Sequence, residues 1–140
     1  MSKIKPGKLP ASHNIPRQAP PVDPRLRFSF GHIDLYSDDE FSVDLCEDGY
    51  LEKMLCRLRD VCVLTVKEFR TNKSAAIRAH PITWAETKRL AGFKNLNAQL
   101  RGAEAWQFQI TANEHGRIHG ILIDDTFYVV WIDPTHALYG

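Results

Sequence analysis

Hydrophobic and polar positions alternate most regularly in the last third of the chain. Trp106, Phe108 and Ile110 alternate with Gln107 and Gln109, which predicts a strand with one apolar and one polar face. Asn113 to Gly116 reads as a turn. A second strand follows from Arg117 to Ile123, Asp124-Asp125 makes a tight reversal, and a third strand runs from Thr126 to Ile132. The nearly unbroken apolar run of this third strand predicts cover on both of its faces. Together the three form an antiparallel meander with a buried centre.

Upstream the period changes. Leu51, Met54, Leu55, Leu58, Val61 and Cys62 recur at helical spacing behind Asp48, which predicts a helix capped by that aspartate, with Lys53, Arg57 and Arg59 facing outward. Thr65 is placed to cap a second helix through about Lys73, and Pro81 stops any continuation. Thr83 with Glu86 as its capping-box partner marks a short helix, and Leu96 to Leu100 another. Leu26 to Leu35 alternates Leu26, Phe28, Phe30 and His32 against Arg27, Ser29, Gly31 and Ile33, so it reads as a first strand able to pair with the C-terminal sheet. The expected architecture is α+β: a curled antiparallel sheet of about four strands, helices packed on one face, and the functional site on the opposite, concave face.

Composition refines this picture at the N-terminus. Six of the eight prolines fall within residues 1–24, interleaved with Lys3, Lys5, Lys8 and Arg17, which disfavours both helix and ladder pairing. Residues 1–24 are therefore expected to form a semi-extended basic tail, either without consequence or an arm that orders on a partner. Residues 25–140, in a chain that is 44% apolar, are expected to form one domain. No stretch offers the ~20 apolar residues of a membrane helix, and the N-terminus has charges and prolines where a signal peptide needs an apolar run, so a cytoplasmic protein is expected. Cys46, Cys56 and Cys62 are odd in number and lack C-x-x-C spacing, which fits reduced thiols.

The net charge of +1 hides segregation. Residues 34–52 hold eight acids and no base, while residues 53–101 hold eleven bases against three acids. Such blocks either meet phosphates or neutralise one another across a folded surface.

Candidate chemistry centres on the meander. Arg117 opens the strand that leads to His119, which shares its face at a period of two. An arginine in a sheet pairs with a neighbouring acid, here Glu114, Asp124 or Asp133, or it is aimed at phosphate, where its planar fork neutralises charge building in a transition state. His136 follows in Asp133-Pro134-Thr135-His136. It is either a solvated loop residue or, beside an arginine, a proton donor to the leaving 5′ oxygen in RNA cleavage. Tyr139 is placed to stack on a base or hold a phosphate oxygen. His115 and His119 have a spacing that suits a metal only on a helix, and the first sits in a turn, so neither metal nor cofactor is expected. RNA scission by the 2′ hydroxyl needs only a base, an acid and a cation.

The run Trp106-x-x-x-Ile110, then Glu114-His115-Gly116-Arg117, a hydrophobic strand, Asp124-Asp125, another hydrophobic strand and terminal His136 and Tyr139 resembles the C-terminal half of RelE/YoeB-type bacterial toxins. The resemblance covers roughly the last quarter of the chain. It implies a small α/β ribonuclease that enters the ribosome, cuts messenger RNA and is held inactive by an antitoxin protein. On that resemblance Arg117 matches the phosphate-stabilising arginine, His136 the general acid and Tyr139 the terminal aromatic, with Glu104 or Glu86 as the base. Two residues separate His136 from Tyr139 where the family has them nearly adjacent, and the chain is longer and less basic than typical members. The alternative expectation is a non-catalytic module of the same fold that binds a protein or nucleic acid through its tail and cationic middle.

Overall fold

In the computed structural model, residues 23–71, 74–112 and 114–139 are described. The expected tail lies outside them except for Asp23 and Pro24. The fold is α+β around an open five-stranded mixed sheet. In chain order the strands are β1 (Arg27–Ser29), β2 (His80–Pro81), β3 (Glu104–Gln109), β4 (Arg117–Ile123) and β5 (Thr126–Asp133), arranged in space as β1-β5-β4-β3-β2. The C-terminal meander forms as its alternation predicts, with β3 antiparallel to β4 and β4 antiparallel to β5.

The rest of the sheet differs from expectation. β1 keeps only three residues and runs parallel to β5, so the sheet is mixed, not wholly antiparallel. Residues 30–125 connect these two neighbours. β2 adds a two-residue edge that places Pro81 where no further ladder partner needs its missing N–H.

Helices α1 (Tyr50–Cys62), α2 (Val66–Thr71) and α3 (Ala98–Arg101) match the predicted segments, but their details do not. Asp48 does not cap α1; Gly49 occupies the cap position with φ +84° and offers no side chain. The buried stripe of α1 is rotated to Tyr50, Leu58 and Val61, leaving Leu51 and Leu55 63% and 53% exposed. Arg57 turns inward, its Nε donating to the Ile110 carbonyl at 3.0 Å, and that bond helps to fix the rotation. Thr65 and Glu68 do form a capping box at the start of α2, each accepting from the other's backbone N–H at 3.1 and 2.9 Å. Thr83 forms no such cap, and Trp84–Glu86 is a single 3-10 turn. Asn97 caps α3 by accepting from the Leu100 N–H at 2.9 Å.

One face of the sheet packs against α1 and α2 through a cluster that includes Phe69, Phe108, Phe127, Val61 and Ile118. Phe69, Phe108 and Phe127 meet edge-on at centroid distances of 5.3 to 6.0 Å. The other face is not the open concave surface expected of it. A second apolar cluster covers it, built from Phe41, Ile82, Phe93, Leu96 and Leu138 on irregular segments and packed on Trp131 of β5. A bulge between His119 and Gly120 lets Val130 and Trp131 both face this second cluster. β5 is thereby covered on both sides, as its unbroken apolar run predicts. The polar face of β3 is buried too: Gln107 and Gln109 are each 2% exposed, and the Gln109 amide donates to the Ala75 and Ala76 carbonyls at 3.2 and 3.1 Å.

Candidate functional site

Where the two covers leave a gap, at the Arg117 end of β4, lies a hollow of about 380 Å³. Its walls come from the start of α1, Ala112 and Glu114 to Gly116, the first residue of β4 and the loop after β5. The sequence makes this meeting possible through Gly116. With φ +72° it sits in the left-handed region, and a Cβ there would run into the Asp133 carbonyl, so only glycine lets the turn approach the end of β5.

Arg117 and His136, distant in sequence, both line this hollow. Arg117 is 6% exposed; its Nη1 donates to the Gly116 carbonyl at 3.3 Å. Among the described residues no carboxylate comes within salt-bridge distance of its guanidinium. Burial, and then the charge of Arg78, lower its pKa from the usual arginine value, against a smaller opposing pull from Asp133. The cation is therefore held without a direct counter-ion.

His136 is exposed and adopts φ +55°, a left-handed conformation that costs a non-glycine residue on the order of 1 kcal/mol. Its N–H donates to the Asp133 carbonyl at 3.2 Å. Desolvation and the nearby Arg117 charge lower its pKa below 6.5, partly countered by Asp133. The imidazole thus titrates in the field of the arginine.

Asp133 anchors the loop that carries His136. It is 0% exposed, and its carboxylate accepts from the Ala137 N–H at 2.7 Å, the Leu138 N–H at 3.0 Å and His119 Nε2 at 2.9 Å. Burial alone would raise its pKa; the His119 hydrogen bond, with the two backbone donors, outweighs that and holds it below the ordinary carboxylate value. Pro134 follows directly and starts the loop away from the sheet.

His119 lies beneath the hollow, not in it. It is 0% exposed, edge-on to Phe41 at 5.8 Å and Trp131 at 6.4 Å. Burial is the main cause of its lowered pKa, opposed by the Asp133 hydrogen bond, so the neutral ring donates through Nε2 and its Nδ1 has no partner among the described residues.

The remaining sequence candidates are elsewhere. Glu104 begins β3 and is bound to Arg70 at 2.5 Å and Trp106 Nε1 at 3.1 Å. Five residue steps along β3 separate it from Gln109, the partner of Arg117, a span of about 17 Å. Glu86 is exposed on the 3-10 turn over the second cluster. The Tyr139 hydroxyl accepts from the Thr83 N–H at 3.0 Å, and its ring lies 5.9 Å from that of His80. None of these three lines the hollow.

In their place the structure supplies Glu47, Tyr50, Glu114 and His115. His115 is buried, with Nδ1 2.9 Å from Thr111 Oγ1, and the Tyr50 ring centroid is 6.1 Å away. The Tyr50 hydroxyl has no partner among the described residues, and burial drives its pKa up, with smaller contributions from Cys46 and Asp133. Glu47 and Glu114 are exposed carboxylates on the rim. A glycine ahead of Tyr50 and an aspartate ahead of proline were the local signals; neither says which cavity results.

Compared with family models, curated proteins and solved structures, the chain matches none of them. Among the described residues no helix is long and apolar enough to cross a membrane.

Proposed function

We propose that the chain is a metal-independent endoribonuclease whose reacting phosphate sits in the hollow between Arg117 and His136. The observation that carries this reading is Arg117: a buried guanidinium without a carboxylate partner is costly unless an anion completes it. The 2′ hydroxyl attacks the adjacent phosphorus, and a rim carboxylate, Glu47 or Glu114, takes its proton. Arg117 pairs with the non-bridging oxygens as negative charge accumulates. His136, as imidazolium, protonates the 5′ oxygen as the P–O5′ bond breaks, leaving a 2′,3′-cyclic phosphate and a 5′ hydroxyl. Glu104, Glu86 and Tyr139, which do not line the hollow, have no part in this scheme, and His119 acts only through Asp133. On this reading the partners are messenger RNA, on or off the ribosome, and an antitoxin protein of the RelE-like kind.

Cleavage of a fluorescent single-stranded RNA, alone and with ribosomes, tests this. Loss of about 10²- to 10³-fold in rate for Arg117→Ala and His136→Ala, with the fold intact, is the expected result. Wild-type protein that cleaves neither form of RNA yet binds RNA or a protein partner, with binding lost on neutralising the cationic middle, would favour the non-catalytic module instead.

A further inference from the structure

Arg78 stands beside the hollow without lining it. The Gln109 N–H donates to the Ile77 carbonyl at 2.7 Å, and the Gln109 side-chain amide donates to the Ala75 and Ala76 carbonyls, so the segment that leads into Arg78 is fastened along the edge of β3. Gln109 in turn pairs with Arg117, and Arg117 with Asp133. The order across this end of the sheet is therefore Arg78, Gln109, Arg117 and Asp133, with His136 on the loop beyond. Two sheet spacings, roughly 10 Å, separate the backbones at the two arginines, which leaves room for each guanidinium to take a phosphate of its own along one strand.

Two observations set Arg78 apart from an ordinary surface base. Its backbone is left-handed, with φ +47°. Of the three non-glycine residues with positive φ among those described, Asp124 turns the hairpin between β4 and β5, while Arg78 and His136 flank Arg117. Such strain collects where a side chain has to be aimed. Arg78 is also exposed and has no carboxylate partner among the described residues. Asp133, the acid of this row, is committed to His119 and to two backbone N–H groups. Burial first, and then the Arg78 charge, lowers the Arg117 pKa; His136, lowered chiefly by burial and by Arg117, feels Arg78 as well. Like charges held this close without a counter-ion are relieved by a polyanion.

We infer that Arg78 holds the phosphate next to the reacting one, so that the site takes single-stranded RNA carrying at least two consecutive phosphates. The inference rests on the proposed reading for the phosphate beside Arg117 and adds a second contact one nucleotide along the chain. A single small anion engages Arg117 alone in the hollow; a repeating polyanion engages both guanidinium groups.

The test uses deoxynucleotide ligands, which lack the attacking 2′ hydroxyl and bind without being cut. Affinities of the full chain for a deoxyuridine dinucleotide with one phosphate, and for its 3′- and 5′-phosphorylated forms with two, are read by calorimetry. The second phosphate is expected to add about tenfold at one of the two ends, as for a hydrogen bond to a charged group. Arg78→Ala removes that gain, and Arg78→Lys keeps most of it. Arg78→Gly also removes it, in a protein at least as stable as the wild type because glycine suits the left-handed backbone, which separates loss of the charge from loss of the fold. For a deoxyuridine decamer, the slope of log affinity against log salt falls by about 0.7 in Arg78→Ala, the value of one phosphate contact in a single strand. A second phosphate that adds less than about threefold, no binding of any of these ligands, or a gain that survives Arg78→Ala and Arg78→Gly overturns the inference. Cleavage is not needed for any of these readouts: a protein that cuts no RNA but keeps the gain from Arg78 refutes the nuclease reading alone, and one that cuts RNA without the gain refutes the second contact alone.

Discussion

Arg117 and His119 stand two residues apart on the same face of β4, yet their surroundings differ in kind. Around His119 the polar account is nearly closed: Asp133 takes one ring nitrogen and two backbone donors, and Phe41 and Trp131 exclude water. Around Arg117 the account is open, with a buried cation and an exposed imidazole lining a cavity, and nearby a buried tyrosine hydroxyl without a partner among the described residues. The contrast separates groups that hold the fold from groups that await a ligand. Sequence spacing alone assigns both residues to the same task.

The comparison breaks most visibly at Asp133. Asp133→Ala leaves the His119 ring and two loop N–H groups without their acceptor, and is expected to cost about 3–5 kcal/mol in urea unfolding. Arg117→Ala should behave oppositely. It removes a desolvated charge, so stability holds or rises slightly, while anion affinity or RNA cleavage falls by the 10²- to 10³-fold given above; a stability loss matching that of Asp133→Ala would erase the distinction.

Proton linkage sharpens the contrast further. In the unfolded chain His119 titrates near 6.5, and burial lowers that value in the native state. Between the two the unfolded chain holds a proton that the native one lacks. Stability from this group is therefore fully present above pH 6.5 and is lost as pH falls through the window beneath it, by up to about 1.4 kcal/mol per pH unit. Denaturation midpoints measured from pH 7.5 to 5 should show this slope, and His119→Gln should lose most of it, leaving the share that His136 contributes. His136, acting as an acid, makes cleavage decline as pH rises through a midpoint below 6.5, so activity and stability move in opposite directions over that range. The smallest expected effect is at Tyr50. Tyr50→Phe removes an unpartnered buried hydroxyl and should raise stability by up to about 1 kcal/mol in the absence of ligand, read by thermal unfolding.

The meander was legible because β3, β4 and β5 are sequential and their alternation has one consistent meaning. The Thr65 cap of α2 was legible because it is wholly local, although its reciprocal partner Glu68 was not named. The second face was not, since Phe41, Phe93 and Leu138 reach it on irregular segments that leave no period in the sequence. The rotation of α1 was not legible, because Leu51 and Leu55 fit the helical period as well as Tyr50 does; only the bond from Arg57 to Ile110 and the packing of the sheet choose between them. At the site, Arg117 and His136 could be named from residue type and position. Glu104 and Glu86 could not be excluded, because distance along β3 and over the second face exists only after folding. Tyr50 carried no chemical signal at all, and its importance comes from a hydroxyl that burial left alone.

The sheet ends on one side in three residues of β1 and on the other in two residues of β2, the latter bearing Pro81. A neighbouring molecule seeking to extend the ladder finds few free amides on either side. Among the described residues neither margin presents a long strand as a template, so strand addition at β1 or β2 is disfavoured.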